Sequence, residues 1–292
     1  MKETIKIAIA SGKGGTGKTL VATNLLHALQ QQNQEVVLVD CDAEEPNAMI
    51  FFKGKKEKSK TIYQKVPVID EKKCTFCGKC HEYCNYNAIV IIPPFKFIKV
   101  MEDLCHDCGA CLYACNYGAI TEKDIVIGHV TTYTLLQHVS LIETRVKVGV
   151  LAPTSVIQAG IKEAIDKEIV IFDSPPGTSC PFIQTVTSAD YVVLVTEPTP
   201  FGLSDLKQSI ATLQTMNKQY GVIINRTGIG NNAVYEYLKQ ENIPLLMEIP
   251  FDKKIALHYS KGELINHYYP ELQTKFIEMF HLIKDRYGNS SH

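Results

Sequence analysis

Charge excess and long hydrophobic runs are both missing from this 292-residue sequence. The chain has 30 lysine and arginine residues and 31 aspartate and glutamate residues, so its formal net charge is −1. It therefore has no excess of basic residues of the kind that indicates nucleic-acid binding. No uninterrupted apolar run approaches the ~18 residues that cross a bilayer. The apolar patch in "MKETIKIAIASGKGG" is too short for a signal peptide and fits a first strand. We therefore expect a cytoplasmic protein that neither binds nucleic acid nor inserts into a membrane.

Cysteine, by contrast, is abundant, with 10 in the chain. Structural disulfides are disfavoured in the cytosol, so metal binding or redox chemistry is the better expectation. Eight of the ten lie in two runs, "CTFCGKCHEYC" at 74–84 and "CHDCGACLYAC" at 105–115, and the other two are Cys41 and Cys180. Both runs read C-x2-C-x2-C-x3-C and recur at an offset of 31 residues (105 − 74), which indicates a tandem duplication of a half-site.

This spacing is typical of bacterial two-cluster [4Fe–4S] sites, in which the last cysteine of each run binds the cluster of the other run. The predicted ligand sets are Cys74, Cys77, Cys80 and Cys115 for one cluster, and Cys105, Cys108, Cys111 and Cys84 for the other. Zinc is the alternative, but a tetrahedral ion needs no third cysteine at this spacing. Asn85 and Asn116 replace the proline that normally follows the fourth cysteine. The block at 61–127 resembles a bacterial-type ferredoxin domain.

A phosphate-binding loop stands near the start of the chain. "GKGGTGKT" at 12–19 fits G-x4-G-K-T, follows a predicted strand and opens a predicted helix. Its backbone amides would point at phosphate oxygens, Lys18 would reach the β- and γ-phosphates, and Thr19 would bind Mg²⁺. The predicted nucleotide contacts are Gly12, Lys13, Gly14, Gly15, Thr16, Gly17, Lys18 and Thr19. ATP and Mg²⁺ are therefore the expected cofactors of this loop.

Outside the cysteine block the chain alternates short apolar runs with helical stretches, the pattern of an α/β fold with a mostly parallel sheet flanked by helices. Strands are predicted at 4–10, 35–39, 169–173, 191–196, 220–225 and 245–249, and helices at 17–32, 154–166, 202–217, 231–240 and 270–286. The charge run "KGKKEKSK" at 53–60 is expected to be a solvated linker or exposed loop, and 129–147 shows no clear pattern. We predict a P-loop ATPase domain at 1–60 and 128–292, interrupted at 61–127 by a small α+β ferredoxin-type domain.

With its second lysine, Lys13, the phosphate loop resembles the deviant Walker A ATPases, which include MinD and ParA, the Mrp-type iron–sulfur carriers and the nitrogenase iron protein. The resemblance implies a homodimer that sandwiches ATP, with Lys13 reaching the phosphates held by the partner. It extends to "VLVDCDAEEPN" at 37–47, "IVIFDSPPG" at 169–177 and "GVIINRTGIGN" at 221–231. The roles it implies are catalysis for Lys13, Lys18 and Asp42, Mg²⁺ binding for Asp173 with support from Asp40, γ-phosphate sensing for Gly177, and adenine recognition for Asn225.

Together with the inserted cysteine block, "DAEEPN", "DSPPGTSCP" and "TEPTPFGLSDL" resemble one family over nearly the whole chain, the MinD-like ATPases with an inserted ferredoxin domain. The function expected from this pairing is a Mg·ATP-dependent homodimeric switch with slow, partner-stimulated hydrolysis. It would couple nucleotide state to electron transfer through the two clusters, towards an unidentified redox or metallocofactor-assembly partner.

Two alternatives stay open at this point. One is an iron–sulfur assembly or carrier ATPase, although the C-x2-C pair that Mrp-type carriers have near the C-terminus is missing. The other is a MinD/ParA-like positioning ATPase, although no basic amphipathic membrane helix is evident in the C-terminal stretch. Cys180, three residues after Gly177, is either a ligand, relay or redox sensor, or a small buried hydrophobe. Cys41 is expected to be structural.

Overall fold

A nine-stranded sheet forms the centre of the protein, which a computed structural model describes at residues 4–150 and 153–290. Its strands are β1 (Ile5–Ala10), β2 (Val36–Asp40), β3 (Lys55–Ile69), β6 (Ile120–Leu136), β7 (Val139–Val146), β8 (Ile169–Asp173), β9 (Tyr191–Thr196), β10 (Gln219–Thr227) and β11 (Leu245–Pro250). A separate antiparallel hairpin consists of β4 (Ile89–Ile92) and β5 (Phe97–Val100). Across the large sheet the order is β11–β10–β9–β1–β8–β2–β7–β6–β3.

The seven strands from β11 to β7 run parallel, and β6 and β3 continue the sheet antiparallel. Strands β2, β8 and β9 are buried along their whole length. This explains why their sequences are continuous apolar runs rather than alternating ones, since a parallel sheet is covered on both faces. The predicted α/β fold with a mostly parallel sheet is confirmed.

Helices cover both faces of the sheet. They are α1 (Lys18–Gln31), α4 (Thr154–Glu163), α5 (Cys180–Thr187), α6 (Pro200–Thr215), α7 (Ala233–Gln240), α8 (Lys253–Ser260) and α9 (Pro270–Ser290). Two short helices, α2 (Lys79–Glu82) and α3 (Ala110–Ala114), lie between β3 and β6 in the chain. One apolar layer joins the sheet to α1 and α9, and the other joins it to α4, α5, α6 and α7. Alternate residues of β1 enter the two layers, Ile7 and Ile9 in the first and Ala8 and Ala10 in the second. Helices α2, α3, α5 and α8 were not predicted from the sequence.

The lysine-rich run at 53–60 is not a linker, so that expectation was wrong. Strand β3 begins inside it at Lys55 and pairs antiparallel with β6. The strand lies at the edge of the sheet, where the backbone pairs on one side while the lysine side chains stay in solvent. Lysines at such an edge also hinder pairing with another chain. The patternless stretch at 129–147 belongs to β6 and β7.

The cysteine-rich segment lies at the far end of the β3–β6 hairpin. The hairpin pairs from Lys55–Thr134 to Ile69–Ile120, with shifts of register at Lys56–Lys58 and at Ile62–Tyr63, and the eight cysteines of the two runs lie between Ile69 and Ile120. The segment contains α2, α3 and the β4–β5 hairpin around an apolar cluster that includes Ile89 and Ile98. The predicted boundaries at 61 and 127 fall inside β3 and β6, so these strands carry the main sheet into the segment.

Candidate functional site

The phosphate-binding loop joins β1 to α1 at the carboxyl end of the parallel strands. Helix α1 begins at Lys18 after Gly17 as its N-terminal cap residue, and a helix N-terminus attracts anions. Gly17 has φ 101°, and a Cβ there would lie 2.4 Å from Asn225 Nδ2. At Gly12 a Cβ would lie 2.5 Å from the carbonyl oxygen of Asp205. Both glycines are therefore required by close packing behind the loop.

Asp173, at the end of β8, is the side chain best suited to bind Mg²⁺. It is 1% exposed, and neither carboxylate oxygen makes a hydrogen bond of good geometry. Burial raises the pKa of Asp173 to about 7, while the nearby Thr19 hydroxyl and the Lys18 ammonium act to lower it. A buried carboxylate without donors is costly unless a cation or water completes it. The predicted Mg²⁺ role of Asp173 and Thr19 therefore fits the chemistry of this pocket.

Lys18 and Asp42 lie beside Asp173, although the three come from distant parts of the sequence. Burial lowers the pKa of Lys18, and the carboxylates of Asp173 and Asp42 raise it. Burial likewise raises the pKa of Asp42, and Lys18 lowers it. The structure thus brings together the side chains predicted to bind phosphate (Lys18), to take part in catalysis (Asp42) and to bind Mg²⁺ (Asp173), and their charges influence one another.

Asp40 has a different environment from Asp173. Its carboxylate accepts hydrogen bonds from the backbone amides of Asn47 and Ala48, each at 2.9 Å, and from that of Asp42 at 3.2 Å. Burial and the charge of Asp173 raise the pKa of Asp40 well above its usual range. The observed contacts hold the loop after β2 in shape, and the predicted support of Mg²⁺ by Asp40 stays a prediction.

Asn225, predicted to recognise adenine, lies against the phosphate loop. It is 6% exposed, its Nδ2 donates to the carbonyl oxygen of Thr16 at 2.8 Å, and its Oδ1 accepts from the amide of Arg226 at 2.8 Å. Both ends of the side-chain amide are therefore used within the chain. A contact with adenine stays a prediction.

An ion-paired group next to the loop was not predicted from the sequence. Glu197 follows β9 directly, and its Oε1 lies 2.7 Å from Arg226 Nη1, while its Oε2 lies 4.0 Å from Lys13 Nζ. Arg226 Nη2 also donates to the carbonyl oxygen of Gly15 at 3.3 Å. An acidic residue directly after a buried parallel strand was the available signal, because the carboxyl ends of such strands form one edge of the sheet.

Tyr259 of α8 is a second residue that the sequence analysis missed. Its ring packs near Phe51, with centroids 5.0 Å apart. Burial raises the pKa of Tyr259, the Asp173 charge also raises it, and the Thr19 hydroxyl lowers it, so the phenol lies close to the predicted Mg²⁺ side chains. No motif in the sequence marks this tyrosine.

Two cavities in the cysteine-rich segment are each lined by four cysteines. One cavity is lined by Cys74, Cys77, Cys80 and Cys115, and the other by Cys84, Cys105, Cys108 and Cys111. Each cavity thus takes one cysteine from the other run, in the same grouping as the predicted ligand sets. Within the described parts of the chain, no three His, Cys, Asp or Glu side chains are arranged so that they could hold a metal ion. The cluster ligands therefore stay a prediction.

The surroundings of the cysteines bear on what could bind there. Backbone amides donate to two sulfurs, from Phe76 to Cys74 Sγ at 3.4 Å and from Ala88 to Cys84 Sγ at 3.3 Å. Burial raises the pKa of Cys111 to about 11, so this thiol is protonated at neutral pH until a cation displaces the proton. Four sulfur donors in a partly apolar cavity suit a soft metal centre.

The remaining two cysteines differ in exposure. Cys180 is the first residue of α5 and is exposed, so its interpretation as a small buried hydrophobe was wrong. Cys41 is fully buried, and burial raises its pKa well above the usual range.

Among the helices in the described residues, none has the length and apolar character that crossing a bilayer requires.

The family described as CobQ/CobB/MinD/ParA nucleotide binding domain matches residues 7–265. An uncharacterized protein of Methanocaldococcus jannaschii is 32% identical over 270 residues, which cover 90% of this chain and 92% of that protein. An iron–sulfur cluster carrier protein of Pyrococcus abyssi is 24% identical over 266 residues, covering 85% and 75% of the two chains. The structure of septum site-determining protein MinD from Pyrococcus horikoshii, complexed with Mg-ADP, covers 94% of both chains with a TM-score of 0.59 and 21% identity. This last likeness concerns the fold.

Proposed function

This chain belongs to the CobQ/CobB/MinD/ParA family of nucleotide-binding proteins, and from that premise we propose that it is a homodimeric Mg·ATP-dependent switch for electron transfer through two [4Fe–4S] clusters. Family membership supports a ParA/MinD-type ATPase. The clusters, their redox role, and delivery of electrons to a redox or metallocofactor-assembly partner are the proposal. The observation that carries it is the grouping of eight cysteines around two cavities in a chain that also has a phosphate loop.

Each cavity would hold one cluster through its four cysteines, and a [4Fe–4S] cluster supplies a one-electron carrier when bound. The amides that donate to Cys74 and Cys84 would stabilise the thiolate form of those sulfurs. Apolar side chains such as Ile69 and Ile91 line the first cavity and would limit access of water.

On the nucleotide side, this chain's own residues would bind and orient Mg·ATP. Lys18 would neutralise the β- and γ-phosphates, and the buried carboxylate of Asp173 would complete the Mg²⁺ shell directly or through water. Asp42, half-buried beside Lys18, would position the attacking water. Lys13, whose side chain is 36% exposed, would reach the phosphates held by a second copy.

Coupling between the two ends has a continuous backbone route. The amide of Val146 on β7 donates to the carbonyl of Ala43, next to Asp42, at 2.9 Å. The amide of Lys147 then donates to the carbonyl of Ile127 on β6 at 2.8 Å. Strand β6 leads into the cysteine-rich segment, so a change in the loop after β2 has a direct mechanical connection to the hairpin that carries the cysteines.

The first experiment counts iron and sulfide in anaerobically prepared protein and records its EPR spectrum after reduction. We expect about eight irons and about eight sulfides per chain. Cys84→Ser and Cys108→Ser should each remove the same half of the signal, and the double variant should lose no more. Combining Cys84→Ser with Cys77→Ser should remove both halves. Iron-free protein, bound zinc, or pairing of Cys84 with Cys77 would refute the proposed ligand sets.

The second experiment tests coupling by measuring cluster potentials with ATP, with ADP and without nucleotide. Asp173→Asn is the matched variant, because it keeps the side-chain shape while removing the proposed Mg²⁺ ligand. We expect the ATP and ADP potentials to differ in the native chain and to coincide in the variant. Identical potentials in all states of the native chain would reject coupling.

A second candidate function is delivery of iron–sulfur clusters to other proteins, because relatives such as that of Pyrococcus abyssi are named iron–sulfur cluster carriers. Incubation with an apo-ferredoxin distinguishes the two. Transfer of iron and sulfide to the acceptor would favour the carrier function, and retention of the clusters through repeated redox cycles would favour the switch.

A further inference from the structure

A single buried carboxylate lies between two cations at the edge of the phosphate loop. The side chain of Glu197 is 9% exposed, and each of its oxygens faces a different positive group. Oε1 lies 2.7 Å from Arg226 Nη1, and Oε2 lies 4.0 Å from Lys13 Nζ. A buried carboxylate needs a cation nearby, and here the two available cations hold it unequally.

Arg226 is the fixed partner of this carboxylate. Its φ of 57° lies in the left-handed region, and its own amide donates to Asn225 Oδ1 at 2.8 Å, which holds the backbone there. Its guanidinium contacts Glu197 and also donates to the carbonyl oxygen of Gly15 at 3.3 Å. Arginine suits such a role because its planar group donates in several directions at once.

Lys13 is the loosely held partner. Its ammonium is at the outer limit of an ion-pair distance from Glu197, and its side chain is 36% exposed. If Lys13 leaves, Glu197 keeps the closer contact with Arg226, so no buried charge is left without a counter-ion. The contacts therefore allow Lys13 two positions, one on its own chain's Glu197 and one on another anion.

We propose that Glu197 and Arg226 are positioning residues for Lys13: Glu197 retains the lysine in the free chain, and Arg226 permits its release by compensating the carboxylate. This inference rests on the proposed function, in which Lys13 moves to phosphates held by a second copy when ATP is bound. Glu197 and Arg226 would then together determine how much ATP is needed for two chains to associate.

The test measures the concentration of a non-hydrolysable ATP analogue that gives half-maximal dimer, by sedimentation velocity. Glu197→Gln keeps the shape and removes the charge that retains Lys13, so the required concentration should fall about two- to fivefold, the range of a partly exposed ion pair. Arg226→Gln should act in the opposite direction and raise it at least about tenfold, because releasing Lys13 would then leave Glu197 uncompensated.

The double variant Glu197→Gln with Arg226→Gln separates this role from a structural one. We expect it to return to within about twofold of Glu197→Gln alone, since no carboxylate then needs compensation. If the double variant stays as weak as Arg226→Gln, Arg226 acts through Gly15 and the inference is wrong. Should Arg226→Gln fail to fold, Arg226→Lys keeps the charge and should dimerise at nearly the native concentration.

Two further variants distinguish failure of this inference from failure of the proposed function. Absence of any ATP-dependent dimer, or a Lys13→Ala variant that dimerises normally, would overturn the part of the proposed function in which Lys13 reaches ATP held by a second copy. Loss of the dimer in Lys13→Ala, combined with no effect of Glu197→Gln, would overturn only the inference. Glu35→Gln, which breaks the exposed ion pair with Lys167 at 3.3 Å, is the control and should leave dimerisation unchanged.

Discussion

Replacing Asp173 by asparagine should stabilise the nucleotide-free protein while removing its response to Mg²⁺. The carboxyl of Asp173 has an ordinary pKa of 3.8 and a folded-state pKa of about 7, mainly because it is buried. At pH values between 3.8 and about 7, the Asp173 carboxyl keeps its proton in the folded chain and loses it in the unfolded chain. Stability is therefore undiminished below about pH 4 and falls as the pH rises through 7. The uncharged asparagine side chain of the variant would escape this loss.

The size of the effect follows from the same two values. At ~1.36 kcal/mol for each pH unit, the interval from 3.8 to about 7 corresponds to at most about 4 kcal/mol at pH 8, and to about 2 kcal/mol at pH 5. The loss of attraction between Asp173 and the buried Lys18 ammonium offsets part of this gain. We therefore expect the free energy of unfolding of Asp173→Asn to exceed that of the native chain by about 2 kcal/mol more at pH 8 than at pH 5.

Urea unfolding followed by far-UV circular dichroism measures this difference, and tyrosine fluorescence provides a second probe because the chain has 14 tyrosines and no tryptophan. Coincidence of the two transitions shows that one free energy describes both. Asp285→Asn, at an exposed position of α9, is the control and should show no pH-dependent gain. Mg·ADP should raise the unfolding midpoint of the native chain and have little effect on Asp173→Asn. The reasoning is refuted if Asp173→Asn is less stable than the native chain at pH 8, or if its advantage is equal at both pH values.

Two further predictions concern the loop and the cysteine segment. Gly17→Ala should abolish binding of a fluorescent ATP analogue, because its Cβ would lie 2.4 Å from Asn225 Nδ2. Gly14→Ala should retain the fold, because its Cβ would meet its nearest neighbour at 4.0 Å. Equal folding defects in the two variants would contradict this prediction. Gln64→Ala should accelerate hydrogen exchange at 105–111 by about tenfold or more, since it removes the buried side-chain donor to the carbonyl of Cys105. Exchange at 74–80 serves as the internal control, and an equal increase in both segments would show that the effect is global.

The parallel sheet was predictable from the sequence because buried parallel strands are continuous apolar runs, and β2, β8 and β9 have that pattern. The edge strand β3 was not predictable in the same way. Its first residues are exposed lysines, and the backbone pairing that makes them a strand depends on β6, which lies over 50 residues further along the chain. The charge pattern indicated solvation correctly, but it could not distinguish an exposed loop from an edge strand.

The candidate site divides along similar lines. Spacing within a motif was enough to predict roles for Lys18 and for the cysteine runs, because those residues stand at fixed separations in the sequence. Glu197 and Tyr259 reach the loop only through the packing of β9 and α8, so no spacing marks them. Residues that belong to one short motif can therefore be predicted from the sequence. Residues such as Glu197 and Tyr259, which come close to that motif from other elements, can be recognised only in the folded structure.

The position of the cysteine segment follows from the same topology. The loop after β2 contains Asp42, and β2 pairs with β7, which pairs in turn with β6. In the sheet, β6 and β3 lie one and two places beyond β7. An insertion that begins after β3 and ends at β6 is therefore close to the strand that pairs with β2. Because the hairpin projects from the edge of the sheet, the insertion interrupts none of the seven parallel strands. In the proposed switch, a small displacement of β7 would pass through β6 to the cysteine segment without requiring a change in β1, β8 or β9, which lie on the other side of β2.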